Sequence, residues 1–442
     1  MNLKFGALIK DQDLLYTIIN QMWRIISGPL TMLAIPWFLT PVVQGYWYTF
    51  ISLAAFSGMA NLGFSTIIMQ FSAHEFAFLE FDTCGKAIGE QEHLIKLACL
   101  FKFILKWMVV TVVTIFPLVI YYGWIFLSAR SENVNWQFAW VLYSISTIWL
   151  FVNMSLCCFF QGCKSVAFIQ SIELKGSVVA TILNVVCLYM GMGLNTLVIS
   201  TFARCLLVFI LLIYTFKGLL SQFWSITRQN SYSWFKEFTS LMWRYVISWS
   251  SGMLMTQIFT PLAFNFYGPI FAGQIGFTMS LWSSAKWIVY SFFTSAIPKI
   301  NIMVELQEWK KLNEFVKGRL IGVVSFYILG STFFFVLYYM FHGSFFLFNR
   351  LAPLSITLAV CCNEFCTLII NSGAIYLRAF KEDPTMLVSA FVGVFIALTS
   401  YLIAKNMNSD YLFVGSLIAY ICFSIPATIY LIKKKISNFK IL

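Results

Sequence analysis

Three basic residues stand inside long apolar runs of this chain: Arg24 in Gln21-Met-Trp-Arg-Ile, Arg204 in Phe202-Ala-Arg-Cys and Lys286 in Ser284-Ala-Lys-Trp. One clear acid, Glu364 in Asn363-Glu-Phe-Cys, sits at similar depth. Charges in a low-dielectric interior are costly and attract counter-charges strongly, so they mark a substrate or ion path first. Net positive charge in such a place suits an anionic substrate. One carboxylate cannot neutralise three cations. Glu364 reads either as a structural counter-ion or as the group that couples transport to a proton or sodium gradient. The plainer reading of each cation is a pair with Glu364 or with helix carbonyls, or, for Arg204 and Lys286, a side chain that snorkels toward an interface. Gln257 joins the candidates as a substrate-binding amide, with an interhelical hydrogen bond as its plainer role.

What must position these residues is a membrane bundle. Of 442 residues, 60% are hydrophobic and only 10% charged, and the mean hydropathy is +0.82. Soluble domains carry roughly a quarter charged residues, so a soluble enzyme, a nucleic-acid-binding module and a disordered scaffold are all excluded. The apolar runs predict twelve spans, roughly 14–38, 45–71, 102–127, 137–160, 168–190, 195–216, 243–266, 271–297, 319–341, 353–372, 385–404 and 411–432. Each is long enough to cross about 30 Å of hydrocarbon. The polar stretch Met1 to Asp13 precedes a run too long for a signal peptide, which is kept as the first span.

Orientation follows from the basic residues, which stay on the cytoplasmic side. With the N-terminus inside, only Arg130, Arg350 and Lys405 of the 29 Lys and Arg fall outside, and three lie within spans. Both termini are therefore expected in the cytoplasm, and the net charge of +12 is largely a topology signal. Lys433-Lys434-Lys435 reads as an interfacial stop in contact with anionic lipid. The longer cytoplasmic connections, near 73–100, 217–242 and 299–318, are amphipathic and are expected to lie along the membrane as helices.

The remaining chemistry-bearing residues are few. The 11 cysteines lie mostly in apolar runs, with neither zinc-site nor disulfide spacing. His74-Glu75 with Glu92-His93 fits no metal motif and reads as surface. There is no Gly-rich phosphate loop ending in Lys-Ser or Lys-Thr, so no ATP chemistry and no cofactor are expected. The outer connections are short, which argues against a membrane glycosyltransferase or polymerase. Non-enzymatic transport is the expectation.

The chain is faintly duplicated. Ser27-Gly28 matches Ser251-Gly252, and Pro41-Val-Val-Gln-Gly45 resembles Pro269-Ile-Phe-Ala-Gly273. The expected fold is all-α: an N-terminal six-helix lobe over 1–216, a cytoplasmic connector over 217–242 and a C-terminal six-helix lobe over 243–442, facing a central cavity. Glycine and proline in the first and seventh spans, such as Gly28-Pro29, Pro36, Gly252 and Pro261, fit the bending elements of a rocking transporter.

Several longer stretches look familiar. Gln44-Gly-Tyr-Trp-Tyr-Thr-Phe50, Asn61-Leu-Gly-Phe64 and Gln70-Phe-Ser-Ala-His-Glu75 resemble the second-helix region of bacterial polysaccharide exporters. So do Ile247-Ser-Trp-Ser-Ser-Gly252, Pro261 through Gly268, Ala272-Gly-Gln-Ile-Gly-Phe-Thr278, and Arg378-Ala-Phe-Lys-Glu-Asp-Pro384. Together they resemble the O-antigen (Wzx-type) flippases of the multidrug/oligosaccharidyl-lipid/polysaccharide exporter superfamily. The resemblance implies a multi-pass protein of the bacterial inner membrane that moves undecaprenyl-pyrophosphate-linked oligosaccharide outward for lipopolysaccharide biosynthesis. It implies cavity arginines on the pyrophosphate, a role for which Arg24 is placed, with Arg204 and Lys286 assigned from depth alone. Where the family often has an acid beside the Leu-Gly of the second span, this chain has Asn61. Trp282, Gln257 and Asn265 are candidates for sugar contacts. The polysaccharide polymerase machinery is a candidate partner, the lipid bilayer is the medium, no nucleic acid is expected, and each chain is expected to work as a monomer.

Three rivals remain. An exporter of small cationic drugs would bury acids in excess of bases, the reverse of this chain. A major-facilitator-type solute transporter would show a basic Gly-containing motif after its second span, where this chain reads Asp82-Thr-Cys-Gly-Lys-Ala. A membrane-embedded polymerase or glycosyltransferase is the rival from another class.

Overall fold

In hydrocarbon every backbone N–H and C=O must be satisfied within the chain, so an apolar run of this length can only become a helix. The computed structural model describes residues 12–58, 61, 63–83, 85–130, 134–341, 343–380 and 384–440. The side chains of Arg24 and Arg244, with all of His342, Lys381 and Asp383, lie outside the described residues. The chain is an all-α polytopic membrane protein. Among the described residues nine stretches are long and apolar enough to cross a membrane. They correspond to the expected third to sixth and eighth to twelfth spans.

By its internal contacts the chain divides into two compact units. The first runs to Ala34 and again from Leu53 to Trp249, and the second comprises Ile35–Ser52 and Ser250–Leu442. Helix α1 (Gln12–Phe38) and helix α2 (Pro41–Ser57) are each divided between them, as is α8 (Phe235–Thr256).

The first unit continues through α3 (Phe64–Phe76), a hairpin of β1 (Leu79–Phe81) and β2 (Ala87–Gly89), α4 (Gln91–Ser128), α5 (Gln137–Gly162), α6 (Val166–Tyr189) and α7 (Asn195–Gln229). The expected second span is thus broken between α2 and α3, where Gly63 takes a left-handed φ of 78° that a side chain would resist. The surface helix expected over 73–100 is also corrected. Leu79 pairs with Gly89 and Phe81 with Ala87 in an antiparallel hairpin, and α4 starts directly after it. Gln222 of α7 holds the hairpin by accepting from the Ala87 N–H and donating to its carbonyl, both at 2.8 Å. Helix α7 continues past residue 216, the expected end of the sixth span, but Phe216 there has non-helical angles and marks a kink. Its ring stacks on Phe160 at 3.9 Å, within a core that also buries Phe64, Phe76, Phe159, Phe223 and Phe238.

The second unit holds α9 (Phe259–Tyr267), α10 (Pro269–Thr294), α11 (Ile297–Glu305), α12 (Trp309–Phe341), α13 (Leu354–Arg378) and α14 (Met386–Asn406). It ends in α15 (Val414–Ile418), a π-helical stretch over Ala419–Ser424 and α16 (Ile425–Lys440). The expected seventh span is interrupted at Gln257-Ile258, between α8 and α9. The tightest packing in this unit joins α2 to α10. A Cβ on Gly45 would fall inside the Pro269 carbonyl, one on Gly273 would come within 2.9 Å of the Gly45 nitrogen, and one on Gly276 would collide with Tyr48. Gln44 seals the crossing by donating to the Gly273 carbonyl at 2.9 Å. The two duplicated motifs, Pro41 to Gly45 and Pro269 to Gly273, are therefore packed on one another. At the end of α1, Arg350 donates to the Leu39 carbonyl at 2.9 Å. That gives a residue counted in sequence only as an outer-loop charge the work of capping a helix C-terminus.

Candidate functional site

The second unit carries the most closely coupled charges. Lys286 on α10 is 7% exposed, and its ammonium lies 2.5 Å from Glu364 Oε2 on α13. Thr367, one helical turn beyond Glu364, accepts from Lys286 at 3.3 Å and donates to Glu364 Oε2 at 3.3 Å. The Trp287 ring centroid is 5.6 Å from the ammonium, and Tyr290 one turn further donates to the Asn371 carbonyl at 3.3 Å. An ammonium held this way has little charge to spare for an anion. The structure thus brings together two residues that the sequence offered for separate jobs, Lys286 for substrate and Glu364 for coupling.

Gln257, the amide candidate of this unit, is half-buried at the break between α8 and α9, where its backbone N–H donates to the Met253 carbonyl at 2.8 Å. Asn265 is exposed on α9. Trp282 does not fit the sugar platform proposed for it. It is 3% exposed, with Phe335 stacked on it at 5.5 Å and Phe334 edge-on at 5.0 Å. A ring whose faces are covered by phenylalanine is a core residue.

In the first unit, Arg24 occupies α1, with its side chain outside the described residues. Arg204 is half-buried on α7, and its aliphatic stem runs over Gly176 of α6, where a Cβ would stand 3.3 Å from Arg204 Cγ. Among the described residues, no ion pair engages Arg204. Sequence reading missed a second interior acid: Glu173, half-buried in the apolar run of α6. The available signal was a polar stripe, Gln170, Glu173 and Ser177, at the three- and four-residue spacing that shares one helix side. Two of the three meet α1, through Asn20 to Gln170 at 2.7 Å and Trp23 to Ser177 at 3.1 Å. Asn61, expected to replace an acid of the second span, accepts from the Ser65 hydroxyl at 2.7 Å and from its N–H at 3.1 Å. It serves as a turn and helix-start residue.

A separate cluster corrects the surface reading of the histidines. Glu75 is only 5% exposed, and it accepts at 2.8 Å from Nδ1 of His93, whose side chain is 17% exposed. Phe78 stacks on that imidazole at 4.0 Å, and Glu90 faces its Nε2 at 3.6 Å. His74 and Glu92 do lie at the surface, at 73% and 75% exposure. The buried pair ties the end of α3 to the start of α4 across the hairpin. Glu75→Ala should destabilise the protein by about 1–3 kcal/mol, because the half-buried imidazole of His93 loses its partner, whereas His74→Ala should change little. Equal melting temperatures for the two purified variants would refute this clasp.

No protein-family model matches the chain, and no curated protein matches it. Among solved structures, an inward-facing multidrug resistance MATE family transporter of the MOP superfamily is similar at TM-score 0.54 and 12% identity. That match covers 93% of this chain and 98% of that one. An outward-facing transporter of the same description is similar at TM-score 0.58 and 12% identity, covering 97% and 95%. The fold is a MATE-type fold. A chain described as "protein A" is similar at TM-score 0.64 and 14% identity, over 100% of this chain and 98% of that one. At these identities the MATE-type fold is shared while the side chains are not, so what this chain carries has to be read from its own charges.

Proposed function

We propose that this protein is an alternating-access transporter that moves an anionic, lipid-linked glycan outward across the bacterial inner membrane. The substrate class is undecaprenyl-pyrophosphate-linked oligosaccharide destined for O-antigen or a related surface polysaccharide. The observation that carries the reading is the surplus of interior cation, three basic residues (Arg24, Arg204, Lys286) against two acids (Glu173, Glu364). Lys286 is matched by Glu364, while Arg204 sits half-buried with no ion pair among the described residues. An arginine left in that condition is the group that would take a pyrophosphate through charge-assisted hydrogen bonds. The MATE-type fold supports transport as the class of activity, and the basic-residue asymmetry supports cytoplasmic termini.

The test is complementation of a strain lacking its own O-unit flippase, with surface polysaccharide and accumulated lipid-linked intermediates as readouts. The wild-type chain and its native glycan pathway should restore display. Arg24→Ala and Arg204→Ala should each lower it at least tenfold at equal expression, and lysine at either position should rescue in part. Unchanged display in both alanine variants would overturn the anionic-site reading.

A second reading, ion-coupled export of small organic molecules, is favoured by the description of the similar structures as multidrug resistance transporters. It predicts that the chain confers drug tolerance on an efflux-deficient strain and that Glu364→Gln, rather than either arginine variant, removes it.

A further inference from the structure

We infer that Glu173 is a proton-binding acid that competes with the anionic substrate for the cations of the first unit; this rests on the anionic-substrate reading above. At about 100° per residue, Gln170 and Ser177 project within about 20° of one another and make the two contacts with α1. Gly176, about 110° round the same helix, is the point where Arg204 and Val208 of α7 close in. Glu173 falls between these two directions, in the groove that α1 and α7 border. Along the axis it lies between Gln170 and Ser177, which sets it level with the α1 turn that runs from Asn20 through residue 24. Cys157 of α5 lies in the electrostatic field of both Glu173 and Arg204, so the two charges share one neighbourhood. The groups around Glu173 are thus Arg204 on α7, Cys157 and Cys158 on α5 and the turn of α1 that carries position 24. On α6 itself Lys175 is exposed, about 160° away from the direction of Glu173.

The exchange follows from charge alone. With no substrate bound, the ionised carboxylate balances the unit's cations. When a phosphate group takes those cations, two anions would face each other in a low dielectric, and the carboxylate relieves this by taking up one proton. Release of the anion returns the cations to Glu173, which ionises and gives the proton up. One O–H bond forms and breaks per cycle, so substrate and proton are thermodynamically linked.

Titration calorimetry on the purified full-length protein, with inorganic pyrophosphate as probe between pH 6 and pH 8, tests this. Glu173→Gln should bind at least about tenfold tighter than wild type at pH 8, and the difference should close toward pH 6, by at most tenfold per pH unit for one linked proton. Glu173→Asp, which keeps the charge, should keep the wild-type pH dependence; it also guards against a folding artefact in the glutamine variant. Pyrophosphate's own protonation cancels between proteins. If Glu173→Gln tracks wild type at every pH while Arg204→Gln weakens binding, the anionic site stands and the role of Glu173 falls. If neither wild type nor Glu173→Gln binds pyrophosphate saturably, the anionic-substrate reading falls and takes this inference with it.

Discussion

Lys286→Met should lower the melting temperature of the purified protein by roughly 5 °C or more, and Glu364→Leu should do the same. Each change removes one partner of a buried pair whose atoms stand 2.5 Å apart, at side-chain exposures of 9% and 13%. The stranded charge costs about 3–5 kcal/mol, because neither water nor a counter-ion replaces the lost partner. The double variant Lys286→Met/Glu364→Leu should recover most of the loss, since a buried ion pair exchanged whole for apolar groups is often neutral. Thermal unfolding in detergent checks this directly, and an additive double variant would show that the pair contributes nothing. Surface polysaccharide display then separates structure from transport. A double variant that is stable yet silent assigns the charges to the transport cycle, whereas a stable and active one confines them to holding α10 against α13.

Gly45→Ala is expected to be as damaging through a different mechanism. The added methyl would collide with the carbonyl of Pro269, and backbone at the start of a helix cannot turn aside as a flexible side chain does. Overpacking costs about 1–3 kcal/mol, and a collision with backbone belongs at the upper end of that range. Gly273→Ala, which approaches the Gly45 nitrogen at 2.9 Å, should follow it. Gly28→Ala in α1 is the control, because no atom lies within 4 Å of its Cβ position. It should be neutral or slightly stabilising, as alanine is the better helix former by about 1 kcal/mol. Expression and melting temperature of the three proteins form the comparison, and equal behaviour of Gly28→Ala and Gly45→Ala would refute the close crossing.

Nine of the twelve expected spans were readable among the described residues, because hydrocarbon leaves an apolar run no structure but a helix, but the breaks inside the second and seventh were not, although Gly63 stands at the first of them. Nor was the hairpin over Leu79–Gly89. Its strands are three residues each, too short to show alternation, and the Gln222 that holds it lies 135 residues away. The same distance problem hid the site. Lys286 and Glu364 were each visible as deep charges, yet nothing local says that α10 and α13 bring them together 78 residues apart. Glu75 passed for a surface residue because His74 beside it is one, and only the return of the chain through His93 buries it. Glu173 was overlooked because Lys175 two residues on suggested an interface, although alternate residues of a helix point to different sides.

The chain passes between the two compact units within three unbroken helices, at Ala34/Ile35 in α1, at Ser52/Leu53 in α2 and at Trp249/Ser250 in α8. Pro36 follows the first place by two residues and lacks the N–H that would bond to the Met32 carbonyl. Gly252 follows Trp249 by three residues, with open space around it. Such places behave as flexures in a solid beam and not as slack tethers. The part of α1 from Gln12 to Ala34 is a rod of about 34 Å at 1.5 Å per residue, so a bend of about 10° at its end would sweep the far tip through roughly 6 Å. Stiffening such a flexure, as Pro36→Ala would, should leave the protein folded and change how fast it works.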